Sequence, residues 1–250
     1  MLTIQISLSF VISIAFAIKV PIFPFHLWLP EVHTETYTSG SVLLAGILLK
    51  LGVYGLIRFN LFPIGIKYWF PLLFSLCITG CLMSSIYILT QLDLKKIIAY
   101  SSISHMNFTI TAWSTCSLWG NMGCVITSLA HGLSSTSLFI LSGCLYDRTH
   151  SINLQPLFNY MPVLSSCFLL LILANISFPG TWNFIGELFG TLSVFRVDIS
   201  LISILLFNAL LTTCYSFFNM SIILIVIVEV HKDTNRIEFS LFSLVLFLVL

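Results

Sequence analysis

The stretch SGSVLLAGILLKLGVYGLIR (Ser39–Arg58) decides the fold. Its twenty residues, wound as an α-helix, reach about 30 Å, the thickness of the hydrocarbon core of a bilayer. Between Gly40 and Arg58 the sole charged side chain is Lys50, eleven residues after Ser39 and so about 16 Å along the helix. A charge placed near the midplane costs about 2.5–3.5 kcal/mol on insertion scales and usually marks an ion pathway. A lysine stem can carry its ammonium only a few ångströms toward water, so Lys50 does not reach the surface by snorkelling.

The rest of the 250 residues reads the same way. Apolar side chains make up 58% of the chain and charged ones 8%, with mean hydropathy +1.06. Soluble domains carry roughly 25% charged residues, so ten basic and nine acidic groups cannot solvate a globule of this size. Disorder is excluded by the same numbers, and a net charge of +1 offers nucleic acid no basic patch. The expected fold is an all-α polytopic membrane bundle of about eight spans with no separate soluble domain. These spans are Leu2–Val20, Ser39–Arg58, Tyr68–Thr90, Leu94–Thr115, Gly120–Leu145, Met161–Val194, Ile199–Val228 and a short last one, Ile237–Leu250. The remaining charges fall in the connections, as in Glu31/Glu35, Arg58/Lys67, Asp93/Lys95/Lys96, Asp147/Arg148 and Lys232/Asp233/Arg236. Their distribution fixes no orientation, and no cleavable signal or transit segment is expected before the first span.

Two spans break. Pro21 and Pro24 follow Lys19, and Phe178-Pro179-Gly180 interrupts the sixth run. Proline removes a backbone donor and clashes with the preceding turn. Paired interrupted helices mark ion paths in transporters built from inverted repeats, and each break here lies close to an ionisable residue, Lys19 or Glu187.

His105 and His131 lie twelve residues beyond Asp93 and Trp119, at a depth similar to Lys50. Lys19, Lys50, His105, His131 and Glu187 thus form a row of titratable groups on different helices. A low dielectric disfavours the charged form of each, which readies such groups for proton exchange. Tyr100, Ser101, Ser104, Thr127, Ser134 and Ser135 are expected to hold water between them as supporting polar groups. The blander reading makes the two histidines satisfied core residues and shields Lys19 with Glu31 or Glu35. The seven Cys are scattered, with no CxxC and no spacing for a metal or an iron–sulfur cluster, and read as small core residues. No metal site is expected, and no G-x-G-x-x-G opens a helix to hold a dinucleotide.

Several blocks carry a resemblance. KVPIFPFHLWLP (Lys19–Pro30), then EVHTE and LLAGILLKLGVYGLIRF, DLKKIIAYSSISHMNF (Asp93–Phe108), SLAHGLSSTSLFILSG (Ser128–Gly143), YDRTHS and NISFPGTWNFIGELFG (Asn175–Gly190) resemble the proton-translocating chain 4 family of NADH:ubiquinone oxidoreductase. That family belongs to respiratory complex I and is related to Mrp-type antiporters. The resemblance implies a membrane-arm subunit, a translocase in the mitochondrial inner membrane. It implies an inverted-repeat fold, with residues 1–60 ending the first repeat, 61–230 forming the second and 237–250 a last helix. Lys19 matches the lysine of the first broken helix, whose partner in the family is a glutamate on an earlier helix. Lys50 matches the central lysine, His105 and His131 the wire, and Glu187 the exit-side acid. NADH, FMN, iron–sulfur clusters and ubiquinone are then expected in other subunits. The implied partners are neighbouring antiporter-like subunits, lipids, and the N-terminal half of the same subunit as a separate chain. The resemblance starts near the family's seventh helix, which implies either a split gene whose second polypeptide supplies the earlier helices or a shortened chain. A di-haem cytochrome using His105 and His131, and a free cation/proton antiporter, are the competing readings.

Overall fold

The computed structural model describes residues 2–59, 63–91, 93–149 and 162–227, and no β-strand forms among them. Ten α-helices follow one another: α1 Leu2–Lys19, α2 Trp28–Glu35, α3 Thr38–Leu43, α4 Leu49–Phe59, α5 Pro63–Leu89, α6 Leu94–Ser114, α7 Leu118–Thr149, α8 Pro162–Asn175, α9 Trp182–Phe195 and α10 Ile199–Ile227. The expected spans match these helices within a few residues. Lys67, expected in a connection, lies instead in the first turns of α5. The expected last span, Ile237–Leu250, lies outside the described residues.

By length and composition, four helical stretches are suited to crossing a membrane: Thr38–Arg58, Pro71–Leu89, Leu118–Asp147 and Ile199–Phe217. The α6 helix is not among them, because Ser101, Ser102, Ser104, His105, Asn107, Thr109 and Thr111 lower its hydropathy. Eighteen of its 21 residues are buried, against α2, α5, α7 and α9. It can be polar because it meets protein rather than lipid.

Thr38–Phe59 is one continuous helix with a π-helical turn at Leu44–Leu48, which joins α3 to α4 directly before Lys50. The two proline breaks are present. Residues 20–27 separate α1 from α2, and residues 176–181 separate α8 from α9. Ser177 (φ +65°) and Gly180 (φ +104°) take left-handed backbone at the second break. At 180 the absent Cβ removes the steric cost of that conformation.

Each break frees carbonyls that oil cannot satisfy, and side chains supply donors. At the first, Trp28 Nε1 donates to the Ile18 carbonyl (3.1 Å) and Asn107 Nδ2 to that of Pro21 (3.5 Å). At the second, Asn183 Nδ2 donates to the Ala174 carbonyl at 2.9 Å. The α9 helix then lies against α7 at backbone distance. A Cβ on Gly123 would sit 2.7 Å from the Gly190 nitrogen, and one on Gly186 would sit 2.8 Å from the Thr127 nitrogen. Gly186 and Gly190 flank Glu187, so this seam sets the depth and heading of the carboxylate.

Gly186→Ala pushes a methyl into α7 backbone and is expected to destabilise by about 1–3 kcal/mol, the usual penalty for overpacking. Gly40→Ala meets only ordinary contact with Thr36 (3.4 Å) and should not lower stability. Thermal unfolding of the detergent-solubilised protein compares the two. Asn183→Ala leaves the Ala174 carbonyl without its side-chain donor and should cost about 1–3 kcal/mol in the same assay.

Candidate functional site

Two apolar clusters bracket a polar layer along α6. One contains Leu94, Ile97, Ile98, Leu138, Leu141, Leu145 and Phe168. The other contains Val20, Val53, Cys77, Met106, Ile110, Trp113 and Cys124. Ser101 to His105 lie between them in sequence, all buried.

Within this layer four of the five sequence-predicted titratable residues come together. His105 on α6 and His131 on α7 face each other with ring centroids 5.0 Å apart and planes tilted by 31°. His105 Nδ1 lies 3.3 Å from Glu187 Oε1 on α9. His131 is within electrostatic reach of both Lys50 and His105. The Lys50 ammonium donates to the Ala45 carbonyl, one π-turn back. The order in space is Lys50, His131, His105, Glu187, with three packed helices supplying the last three. Both ends of the row are partly open: Glu187 keeps 29% of its side chain exposed, and the half-buried Lys50 lines a cavity of about 780 Å³.

Lys19 stands apart. It is exposed on this chain, its ammonium 5.9 Å from the Phe16 ring centroid. It forms no ion pair with Glu31 or Glu35, both of which are themselves exposed, so the structure does not supply the shielding considered for it. Tyr100 is partly buried and stacks on Tyr87 at 5.9 Å.

The buried hydroxyls mostly direct their protons to carbonyls of their own helices. Ser101 donates to Ile98, Thr127 to Gly123 at 2.8 Å, Ser134 to His131 at 3.4 Å and Ser135 to Gly132 at 3.5 Å. Ser104 is buried, its own carbonyl approached by the Cys81 thiol at 3.5 Å. With their protons committed, these oxygens serve as acceptors. Asn175 Nδ2 donates to Ser101 (3.4 Å) and Asn183 Nδ2 to Ser134 (3.5 Å). Small cavities adjoin both asparagines, about 30 Å³ beside Ser101 and Asn175 and about 20 Å³ beside Ser134 and Asn183. Each has room for a water.

Sequence reading missed several of these groups. Asn107, Asn175 and Asn183 carry no charge, so a search for titratable side chains passes over them. Each lies in or next to a quoted block, and amides near proline breaks were the available signal. His33 is fully buried on α2, stacked on Phe139 with centroids 4.4 Å apart and within electrostatic reach of Lys50 and Lys95. Its neighbours in sequence are polar, which made it look like loop.

Known proteins share this architecture. A family model described as NADH:quinone oxidoreductase/Mrp antiporter, TM, matches residues 2–213. The NADH-ubiquinone oxidoreductase chain 4 of Acanthamoeba castellanii is 46% identical over 207 residues, covering 81% of this chain and 42% of that protein. Its counterpart from Dictyostelium citrinum is 42% identical over 228 residues, covering 89% and 55%. The chain thus spans about half the length of these relatives. Among solved structures, a chain of respiratory complex I from Thermus thermophilus with bound NADH superposes with a TM-score of 0.86 at 28% identity, covering 95% of this chain and 52% of that one. A chain of the Mrp complex from Dietzia sp. DQ12-45-1b shares the fold with a TM-score of 0.83 at 22% identity, covering 98% and 28%. A match that spans both broken helices and every residue of the row settles the lineage: the chain belongs to the NADH:quinone oxidoreductase/Mrp antiporter family of transmembrane proteins.

Proposed function

We propose that this chain carries protons within the membrane arm of an NADH:ubiquinone oxidoreductase in the mitochondrial inner membrane. One observation supports it above the others: the packed sequence His131, His105, Glu187, with Lys50 within electrostatic reach of His131. Lys50 is the central store. Each imidazole takes a proton on one nitrogen and releases another from the second. Glu187, partly open, exchanges with the exterior. Residues 1–60 end a first inverted repeat and 61–230 form the second, with NADH, flavin, iron–sulfur clusters and quinone handled by other subunits. Every charge crossing the membrane works against about 2.3 kcal/mol per 100 mV, so the row must not conduct at rest.

The remainder of the relatives' length, on this polypeptide or another, covers the face where Lys19, Leu8, Val11, Leu51 and Tyr54 are exposed, and brings a carboxylate to Lys19. The haem reading fares worse, since rings in direct contact leave no room for a porphyrin between them.

Lys50→Met and Glu187→Gln are each expected to lower NADH-driven proton uptake in proteoliposomes about 10-fold or more, within the range of lost general acid–base groups. Normal uptake per assembled complex would refute the relay, and a haem band in a reduced-minus-oxidised spectrum would replace it. A short cross-linker on Lys19→Cys in native membranes should capture a transmembrane segment next to an acidic residue, identified by mass spectrometry. Capture of lipid alone would reject the covered face.

A further inference from the structure

Lys50 is held by more than its own helix. It lies across Gly132 of α7, the residue next to His131. A Cβ built on Gly132 would stand 3.2 Å from Lys50 Cε, 3.8 Å from Nζ and 3.7 Å from the Gly46 carbonyl oxygen. The stem of the lysine therefore occupies the notch that the absent methyl leaves. From the other side the Ala45 carbonyl accepts the ammonium, and the π-turn Leu44–Leu48 places that carbonyl five residues back, under the end of the side chain. π-Turns inside α-helices recur at functional sites because they shift the helix register by one residue. The two helices are also keyed at a second point, where a Cβ on Gly46 would come within 2.8 Å of Thr136 Cγ2.

From this geometry we infer that Gly132 is a positioning residue, whose missing side chain seats Lys50 against α7 at the height of His131 and so makes transfer between them possible. The inference rests on the proposed role of Lys50 as the central store. A methyl at 132 would be resisted only by the far end of a flexible side chain and not by backbone, so α7 can keep its place while Lys50 moves. The helix seam survives, and the lysine shifts by a few tenths of an ångström from its seat beside Gly132.

The test uses the assembled enzyme in proteoliposomes and compares Gly132→Ala, Lys50→Arg and Gly143→Ala. Gly132→Ala should assemble normally, lose about 3-fold in NADH-driven proton uptake, the share that a few tenths of an ångström takes of the roughly 100-fold cost of a full ångström, and move the pH profile of uptake. Lys50→Arg leaves α7 untouched but replaces an ammonium that can release its proton with a guanidinium that cannot, so uptake should fall through the relay itself whether or not the notch matters. Gly143→Ala clashes with Thr38 on the same pair of helices away from Lys50. It should reduce the amount of assembled complex and leave uptake per complex and its pH profile unchanged. The inference is overturned if Gly132→Ala works at the wild-type rate and profile, or if Gly143→Ala reproduces the shifted profile. Should Gly132→Ala fail to assemble, the inference is overturned, because a methyl met only by the far end of a flexible side chain should be accommodated. Unchanged uptake in Lys50→Arg or Lys50→Met would instead overturn the relay itself, which separates the two failures.

Discussion

A titratable side chain survives in oil only where other helices wall it from lipid, and the rest of this structure is arranged around that requirement. The α6 helix carries the demand. Its own sequence is too polar for a lipid-facing span, yet nearly all of it is buried. The large apolar side chains exposed on this chain, such as Leu129, Leu133 and Ile140 on α7 and Leu206, Phe207 and Leu210 on α10, belong to other helices. Polar and apolar surface are thus sorted by helix position as much as by helix face.

The broken helices answer the same requirement in backbone terms. An unbroken helix satisfies its own carbonyls, whereas a break exposes several at once, each worth several kcal/mol in hydrocarbon. Asn107, Asn183 and the Trp28 indole meet that demand. Asn107 bonds from the helix that carries His105, and Asn183 from the helix that carries Glu187. The breaks are consequently fastened to the row of titratable groups, and a change in one break is mechanically connected to the other through α6 and α9.

Much of this was legible in the sequence. Lys50 declared its depth because it stood alone in twenty apolar residues, and Pro21, Pro24 and Pro179 marked where helices had to stop. His105 and His131 showed their depth but not their bearing, since depth along two helices says nothing of whether the rings face each other. The hydropathy of α6 understates its burial, because a residue-by-residue scale reads a helix as though lipid surrounded it. The π-turn before Lys50 leaves no signal in apolar periodicity, and His33 was hidden by polar neighbours on a short helix. What escaped was always a relation between helices: a notch at Gly132, an amide at a distant carbonyl, a ring on Phe139.

The charge pattern of the row explains why two neutral imidazoles should separate a lysine from a glutamate. With the proton on Lys50 and Glu187 ionised, the four groups sum to zero. With the proton passed to Glu187 they again sum to zero, now as four neutral groups. In the proposed relay the resting and transferred states therefore place no net charge in the bilayer, and the passage through His131 and His105 keeps the sum at zero, because each imidazolium is balanced by the ionised Glu187. A lysine at both ends would leave a net positive charge in every state, at a cost on the scale of an unpaired buried ion. The balance between the two states is then set by small local fields rather than by solvation. In the proposed relay an ammonium such as Lys19, paired or unpaired by a moving carboxylate, is a source of such a field.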